Sequence, residues 1–211
     1  MSYCILIPTV CRKDLLMKAL EWYIANLRET EIIVLDNGKQ GIASGHPKLK
    51  VFESAENLGV AGSWNWLISK AINRGHTEFL LLHDDVILKR YESEIEEMIE
   101  SVTNKVCCIL FPELPYHSSA FYLSKKTFQK IGQFDEGYKF YSFEISDYLY
   151  RAELKKVPIG HTDLLNPQVY QQGQSVARMP LLNLYRSNKK YYIEKWGGEA
   201  GKEKFKTPFN L

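Results

Sequence analysis

Cysteine is scarce in this sequence: Cys4, Cys11, Cys107 and Cys108 are four among 211 residues, and no two form a CxxC pair. This excludes a disulfide scaffold and a cysteine-based zinc site, and makes a reducing compartment the default. Long apolar runs are missing too. MSYCILIPTVCRK has no basic stretch ahead of its apolar residues and breaks at Pro8, while FLLL at 79–82 stops at His83. Neither a secretory leader nor a membrane span is expected, and the expected location is the cytoplasm. Nor is there an excess of charge: 27 Lys and Arg face 25 Asp and Glu, a net +2, too balanced for a nucleic-acid partner recognised through the overall field. Internal repeats and low-complexity tracts are absent.

What is present is an ordinary globular composition, 45% hydrophobic and 25% charged, with enough chain for one domain and a continuous core. A place within a longer multidomain chain stays open. Aromatic residues reach 13%, and such rings serve as core filling or as platforms for flat and sugar-like ligands. The first half alternates compact apolar runs with helical periodicity. Strands are expected at 3–8, 31–35, 49–52 and 78–82, with helices at 13–28 and 62–73. This alternation predicts right-handed parallel crossovers, an α/β sandwich and a ligand crevice at the carboxyl ends of the strands. After a charged helix at 91–101 the pattern becomes mixed, with strands at 106–111, 120–123, 157–159 and 168–170 and helices at 125–131, 143–154 and 181–195. The polar run 171–180 predicts a mobile loop.

The expected strand ends collect polar residues: Thr9 and Arg12, then Asp36 and Asn37, then His83, Asp84 and Asp85. Two adjacent carboxylates after an apolar strand need a compensating cation or donors, and a hard divalent ion is a common answer. A turn, or the cap of a helix beginning near Lys89, accounts for them equally well. Asp36-Asn37-Gly38 is a turn signal in itself; beside Thr9 and Asp85, the Asp36 carboxylate could also accept from a uracil imide or a ribose hydroxyl. Asn57 to Ser63 leads into a helix whose amides could face an anion, without the GxGxxG spacing. Trp64 and Trp66 read as packing residues beneath such a site. Glu144 and Asp147 share a helix face with Arg151, which suggests either an ion pair or an acid poised for general-base chemistry. Arg178, Lys189, Lys190 and Lys195 are candidate cations for a diphosphate or simply solvated charges.

Taken in order, these segments resemble the family-2-like glycosyltransferases of the GT-A fold. ILIPTVCRKDLL is similar to that family's IPTYNR…LL opening, IIVLDNG to its second strand, and ENLGVAGSWN to its NxGxaxaxN segment. FLLLHDDVIL resembles the strand carrying the DxD-type motif, and IGQFDEGYKFYSFEISDYLYRA resembles lGxFDExyfxyxEDxDlxxR. The resemblance covers residues 4 to about 152. It implies one GT-A, Rossmann-like α/β/α sandwich over 1–211, with a mostly parallel central sheet. Residues 1–105 would form the nucleotide-sugar half and 106–211 a mixed acceptor half. The activity implied is transfer of a sugar, hexosyl or deoxyhexosyl, from a UDP-linked donor to a hydroxyl of a glycan or glycoprotein. Pro8, Thr9, Val10, Arg12, Asp36, Asn57, Gly59, Asn65, His83, Asp84 and Arg178 would then bind the donor. Asp85 would hold Mn²⁺ or Mg²⁺, and Glu144 or Asp147 would act in catalysis. The tail YYIEKWGG is similar to some viral and bacterial members, and implies an origin in a large algal virus and a place in the host cytoplasm.

Three positions depart from the family pattern. His83 stands where the first acid of the DxD-type motif is usual. Ile145 occupies the usual base position, leaving Glu144 before it or Asp147 after it. Tyr170 to Ser175 reads YQQGQS where many members carry a His before GGxS. Two other classes remain: a catalytically silent nucleotide-sugar or carbohydrate-binding module, and a sugar nucleotidyltransferase. The latter lacks support from Pro8 to Arg12, which form no Gly-rich triphosphate loop.

Overall fold

The computed structural model describes residues 3–102, 104–108, 120–161, 169–170 and 182–211. Along the chain run β1 (Tyr3–Thr9), α1 (Lys13–Asn26), β2 (Glu31–Asp36), β3 (Leu49–Glu53), α2 (Gly59–Asn73), β4 (Glu78–Leu82), β5 (Val86–Ile87), α3 (Glu92–Ser101) and β6 (Val106–Cys108). They are followed by β7 (Ala120–Ser124), α4 (Lys125–Ile131), α5 (Glu144–Leu154), β8 (Ile159–His161), β9 (Val169–Tyr170) and α6 (Leu182–Trp196). The main sheet has the order β3-β2-β1-β4-β7-β6-β8. Strands β3, β2, β1 and β4 run parallel, β7 is antiparallel to both neighbours, and β8 is parallel to β6. The sheet is thus mostly parallel, as expected from the alternation, and becomes mixed from β7 onward.

The period-two geometry of a strand sends alternate side chains to opposite faces, and both faces are covered here. Ile5, Ile7, Ile32, Val34, Leu80 and Leu82 pack with Leu16, Leu20 and Tyr23 of α1 and with Ile95 and Met98 of α3. Cys4, Leu6, Ile33, Leu35, Phe79 and Leu81 pack on the opposite face with Trp64, Leu67 and Ile68 of α2 and with Tyr148 and Leu149 of α5. The last helix closes a third, smaller cluster of Tyr138, Tyr150, Tyr192 and Trp196. Among the described residues no helix is long and apolar enough to cross a membrane.

Some differences from the sequence reading have plain physical reasons. Helix α2 begins at Gly59 rather than Gly62, because Gly59 takes a φ of +67° that turns the chain into the first helical turn. The strand expected at 157–159 begins at Ile159: Val157 donates to Ala152 O and closes α5, and Pro158 only accepts, from Val106 N. Asp84 and Asp85 do not cap a helix near Lys89. They form a turn between β4 and the short β5, which pairs antiparallel with β9, and α3 starts only at Glu92.

Candidate active site

Strand β1 lies between β2 and β4, so Thr9, Asp36 and the His83-Asp84-Asp85 turn meet at the carboxyl edge of the parallel strands. Thr9 is in register with Asp36 and Pro8 with Leu35. The Thr9 hydroxyl donates to Asp84 Oδ2 (2.7 Å) and accepts from Gln40 Nε2 (3.0 Å). Asp36 organises the loop after β2, accepting from the amides of Gly38 (3.0 Å) and Gln40 (2.6 Å) and from Gln40 Nε2 (3.3 Å). The turn reading of Asp36-Asn37-Gly38 therefore describes what its carboxylate does. That loop crosses so close to Val10 that a Cβ on Gly38 would lie 1.7 Å from the Val10 carbonyl oxygen. Arg12 is buried and forked onto Asp14, with Nε and Nη2 at 2.9 and 2.8 Å from the two carboxylate oxygens.

Burial pushes the Asp85 carboxyl up from its ordinary value, with its own backbone amide and the Arg12 charge acting in the opposite direction. A carboxylate in that state gains from a cation. Among the described residues no cluster of three or more His, Cys, Asp or Glu side chains stands ready to hold a metal. The pair Asp84 and Asp85 fits instead an ion of the Mg²⁺ or Mn²⁺ type, which is held by one or two carboxylates and completed by phosphate oxygens and water. His83 lies against Trp64, ring centroids 5.7 Å apart, and Trp64 is fully buried beneath it. Trp66 is a packing residue as expected: it lies against Phe52 of β3 at 5.2 Å, on the margin of the core cluster that holds Trp64.

At the start of α2, Asn57 Oδ1 accepts from Gly59 N (2.9 Å), and Asn37 joins the two loops by accepting from Leu58 N (3.2 Å) and donating to Ser63 Oγ (2.8 Å). Asn65 is engaged elsewhere. Its amide donates to Phe134 O and Glu136 Oε1, and its carbonyl accepts from Phe134 N, so it clasps the 134–136 segment onto α2. Asn37 belongs to the expected strand-end cluster, whereas Gln40, which bonds both Thr9 and Asp36, is not singled out by the sequence.

Across from this edge, Glu144 opens α5. It is 5% exposed, its Oε2 has no hydrogen-bond partner, and burial raises its pKa from 4.5 to about 7, with Asp147 one turn on adding to the rise. Asp147 is fully buried and committed. Its Oδ1 lies 2.8 Å from Trp196 Nε1 and 2.6 Å from Lys195 Nζ, and its Oδ2 accepts from Arg151 Nε at 2.8 Å. The ion-pair reading of Asp147 and Arg151 is thus the observed one. Lys195 also bridges to Asp135 (2.6 Å) and is buried, which removes it from the candidate cations for a diphosphate. Lys189 and Lys190 pair with Glu199 and Glu194. Ile145 packs in the core with Trp64 and Tyr148 and has no proton chemistry to offer. Arg178 and the Gln171 to Ser175 run lie outside the described residues.

The two sides of the site touch directly. Val60 N donates to Phe140 O at 2.6 Å, and a Cβ on Gly59 would meet Phe140 Cα at 2.9 Å. Of the aromatic residues ahead of Glu144, Tyr138 is core, Phe140 is exposed, and Phe143 faces Tyr185 of α6 at 5.4 Å.

The sequence matches the family described as glycosyl transferase family 2 over residues 4–171. No curated protein matches it in sequence. Solved structures share the fold at low identity. One is the mannosyltransferase PcManGT from Pyrobaculum calidifontis in complex with GDP-Man and Mn²⁺, with 12% identity and a TM-score of 0.58, covering 76% of this chain and 54% of that one. Another is S. aureus TarS in complex with UDP-GlcNAc, with 15% identity and a TM-score of 0.63, covering 85% and 61%. A third, at 12% identity and a TM-score of 0.54, is a putative nucleotide-diphospho-sugar transferase from Desulfovibrio desulfuricans G20, covering 90% and 96%. The chain thus spans little more than half the length of the first of these.

Proposed function

Because the chain belongs to glycosyl transferase family 2, we propose that it moves a sugar from a UDP-linked donor to a hydroxyl of a glycan or glycoprotein, with Glu144 as the general base. The observation that carries this reading is the contrast between two acids on one helix: Asp147 is held by Lys195, Trp196 and Arg151, while the buried Glu144 keeps an oxygen without a partner. A carboxyl with a pKa near operating pH is suited to take the acceptor's proton as its oxygen bonds to the anomeric carbon. The bond from that carbon to the diphosphate breaks, and its electron pair leaves with the diphosphate.

The donor would lie along the edge formed by Pro8, Thr9, Val10, Asp36, Asn57, Gly59, His83 and Asp84. Asp36 keeps acceptor capacity beyond the loop amides it binds, whereas the first α2 amides are taken within the protein, Gly59 N by Asn57 Oδ1 and Val60 N by Phe140 O. Asp85 would hold Mn²⁺ or Mg²⁺, which when bound stabilises charge developing on the leaving diphosphate. Arg12, forked onto Asp14, keeps a positive field beside Asp84 and Asp85. Exposed Phe140 and the Phe143-Tyr185 pair stand where rings can stack on an acceptor sugar. The cytoplasmic, viral origin implied by the tail plays no part in this reading.

Calorimetric titration with UDP, with and without Mn²⁺ and with GDP as a control, is the test. Saturable UDP binding strengthened by Mn²⁺ is expected; absence of binding to either nucleotide overturns the proposal. The burial of Ile145 at the usual base position favours one second reading, a silent binding module, which predicts UDP-sugar binding without release of UDP.

A further inference from the structure

The five residues ahead of Glu144 carry unusual backbone. Phe140, Ser142 and Phe143 take φ values of +58°, +84° and +70°, a region that residues with side chains rarely adopt. Such a stretch persists only where its surroundings over-determine it, and it concentrates at functional sites. Here the surroundings are specific. Tyr141 N and Asn188 Nδ2 donate to Lys139 O (2.8 and 2.9 Å), Val60 N to Phe140 O (2.6 Å), and Asn188 Nδ2 to Tyr141 O (2.7 Å) and Ser142 O (3.4 Å). Asp147 N donates to Phe143 O (2.9 Å), so each carbonyl from Lys139 to Phe143 is engaged. Asn188 Oδ1 accepts in turn from Lys139 N (3.1 Å).

Asn188 sits on α6 and is 2% exposed. A carboxamide supplies two donor protons and an acceptor from one point: the protons serve Lys139 O and Tyr141 O, with Ser142 O a longer, shared contact, and Oδ1 takes the Lys139 amide. The groups that face Glu144 from this shell are few: Asp147 from its own helix, and the Tyr141 phenol from the loop, itself facing Tyr185 of α6.

We propose that Asn188 is a positioning residue for Glu144: its carboxamide holds the 139–143 loop in the one shape that keeps the Glu144 side chain covered and its Oε2 unpartnered. The catalytic significance rests on the reading of Glu144 as base, while the clamp itself does not. Replacing Asn188 by Leu, of similar volume and without hydrogen bonds, releases the loop and admits water to Glu144. Its carboxyl then returns toward ordinary carboxylate behaviour.

The test follows the Glu144 side-chain carboxyl by ¹³C NMR titration, with Glu144→Gln for assignment. In Asn188→Leu its midpoint is expected to fall from the wild-type value by one pH unit or more. Turnover is followed as UDP release from UDP-glucose, UDP-galactose and UDP-GlcNAc. It is expected to fall about a hundredfold with UDP affinity unchanged, the signature of a base displaced by roughly an ångström. A folded Asn188→Leu protein whose Glu144 midpoint does not move overturns the clamp, whatever its turnover. A wild type that releases no UDP while the midpoint still shifts leaves the clamp standing and removes the transferase reading. If Asn188→Leu does not fold, hydrogen exchange on the wild type decides. Protection of the Lys139 amide to the level of α5 supports the clamp, and free exchange overturns it.

Discussion

The Thr9 hydroxyl donates to Asp84 Oδ2 across 2.7 Å, joining residues 75 positions apart at the ends of two neighbouring parallel strands. This bond fixes one carboxylate of the His83-Asp84-Asp85 turn from the protein side, and the proposed metal role falls to its neighbour. Thr9→Val keeps the shape and removes the donor. It is expected to lower stability by about 1–3 kcal/mol, the cost of withdrawing a buried hydrogen bond from a charged group, measurable by urea denaturation.

Asp85 carries the metal prediction. Its carboxyl is raised by burial, so a nearby divalent charge is worth more to it than to an exposed acid. Asp85→Asn is expected to remove about 1.4 kcal/mol or more of the Mn²⁺-dependent part of UDP binding, a factor of about ten in affinity. UDP titrations of both proteins with Mn²⁺ and with EDTA check it, and equal Mn²⁺ enhancement in the variant would assign the ion elsewhere.

Replacing Glu144 by Gln retains shape and removes proton affinity. UDP release from a UDP-sugar in the presence of an acceptor is expected to fall by about 10²-fold or more, with UDP binding preserved. Asp147→Asn should instead destabilise the fold, since Lys195 and Arg151 would lose their shared buried partner. Thermal melts alongside the rate measurements separate the two outcomes.

The Glu144 pKa of about 7 has consequences for both rate and stability. In the proposed role of base Glu144 acts deprotonated, so kcat/KM should rise through a midpoint near pH 7 and level off above it. For stability the sign is opposite. The folded state holds the proton more tightly than the unfolded chain, so the stabilisation is complete below pH 4.5 and lost as pH rises to 7. At pH 8 the ionised carboxylate costs up to about 3 kcal/mol, and Glu144→Gln should be more stable than wild type by up to that amount. Near pH 4 the two should melt together.

Gly59 tests the contact between the two halves of the site. Alanine there meets a left-handed φ and the Phe140 backbone at 2.9 Å. A loss of about 1–3 kcal/mol is expected, from the backbone penalty and the displaced neighbour. The Val60 amide should lose exchange protection with it, which NMR can follow.

The parts of this fold that were legible in the sequence are those decided locally. YCILIP, EIIVL and EFLLL are short apolar runs closed by turn residues, and they became β1, β2 and β4 within a residue of their expected ends. Helix α4 matched its expected span because Ser124 caps it, accepting from Thr127 N. What stayed hidden is decided at a distance. Strand β5 is two residues long and exists through its pairing with β9. The start of α2 is set where Gly59 passes Phe140. Within the site, the Thr9, Asp36 and Asp85 cluster followed from strand order, whereas Asn188 reads as one more polar residue in a helix rich in Tyr and Lys. Only the packing of α6 reveals that it is buried against a distant loop.

The buried Lys195, shared between Asp135 and Asp147, also bears on where this protein can be divided. The family match ends at 171, but Lys195 and the Trp196 indole come from the helix beyond it and neutralise two acids of the preceding half. A fragment cut at the edge of the recognisable family would keep Asp147 with Arg151 and Tyr138 but strip away Lys195 and Trp196, leaving two acids, Asp135 and Asp147, without the buried cation they share. A fragment that keeps these contacts has to extend through residue 196, past the segment by which the family is known.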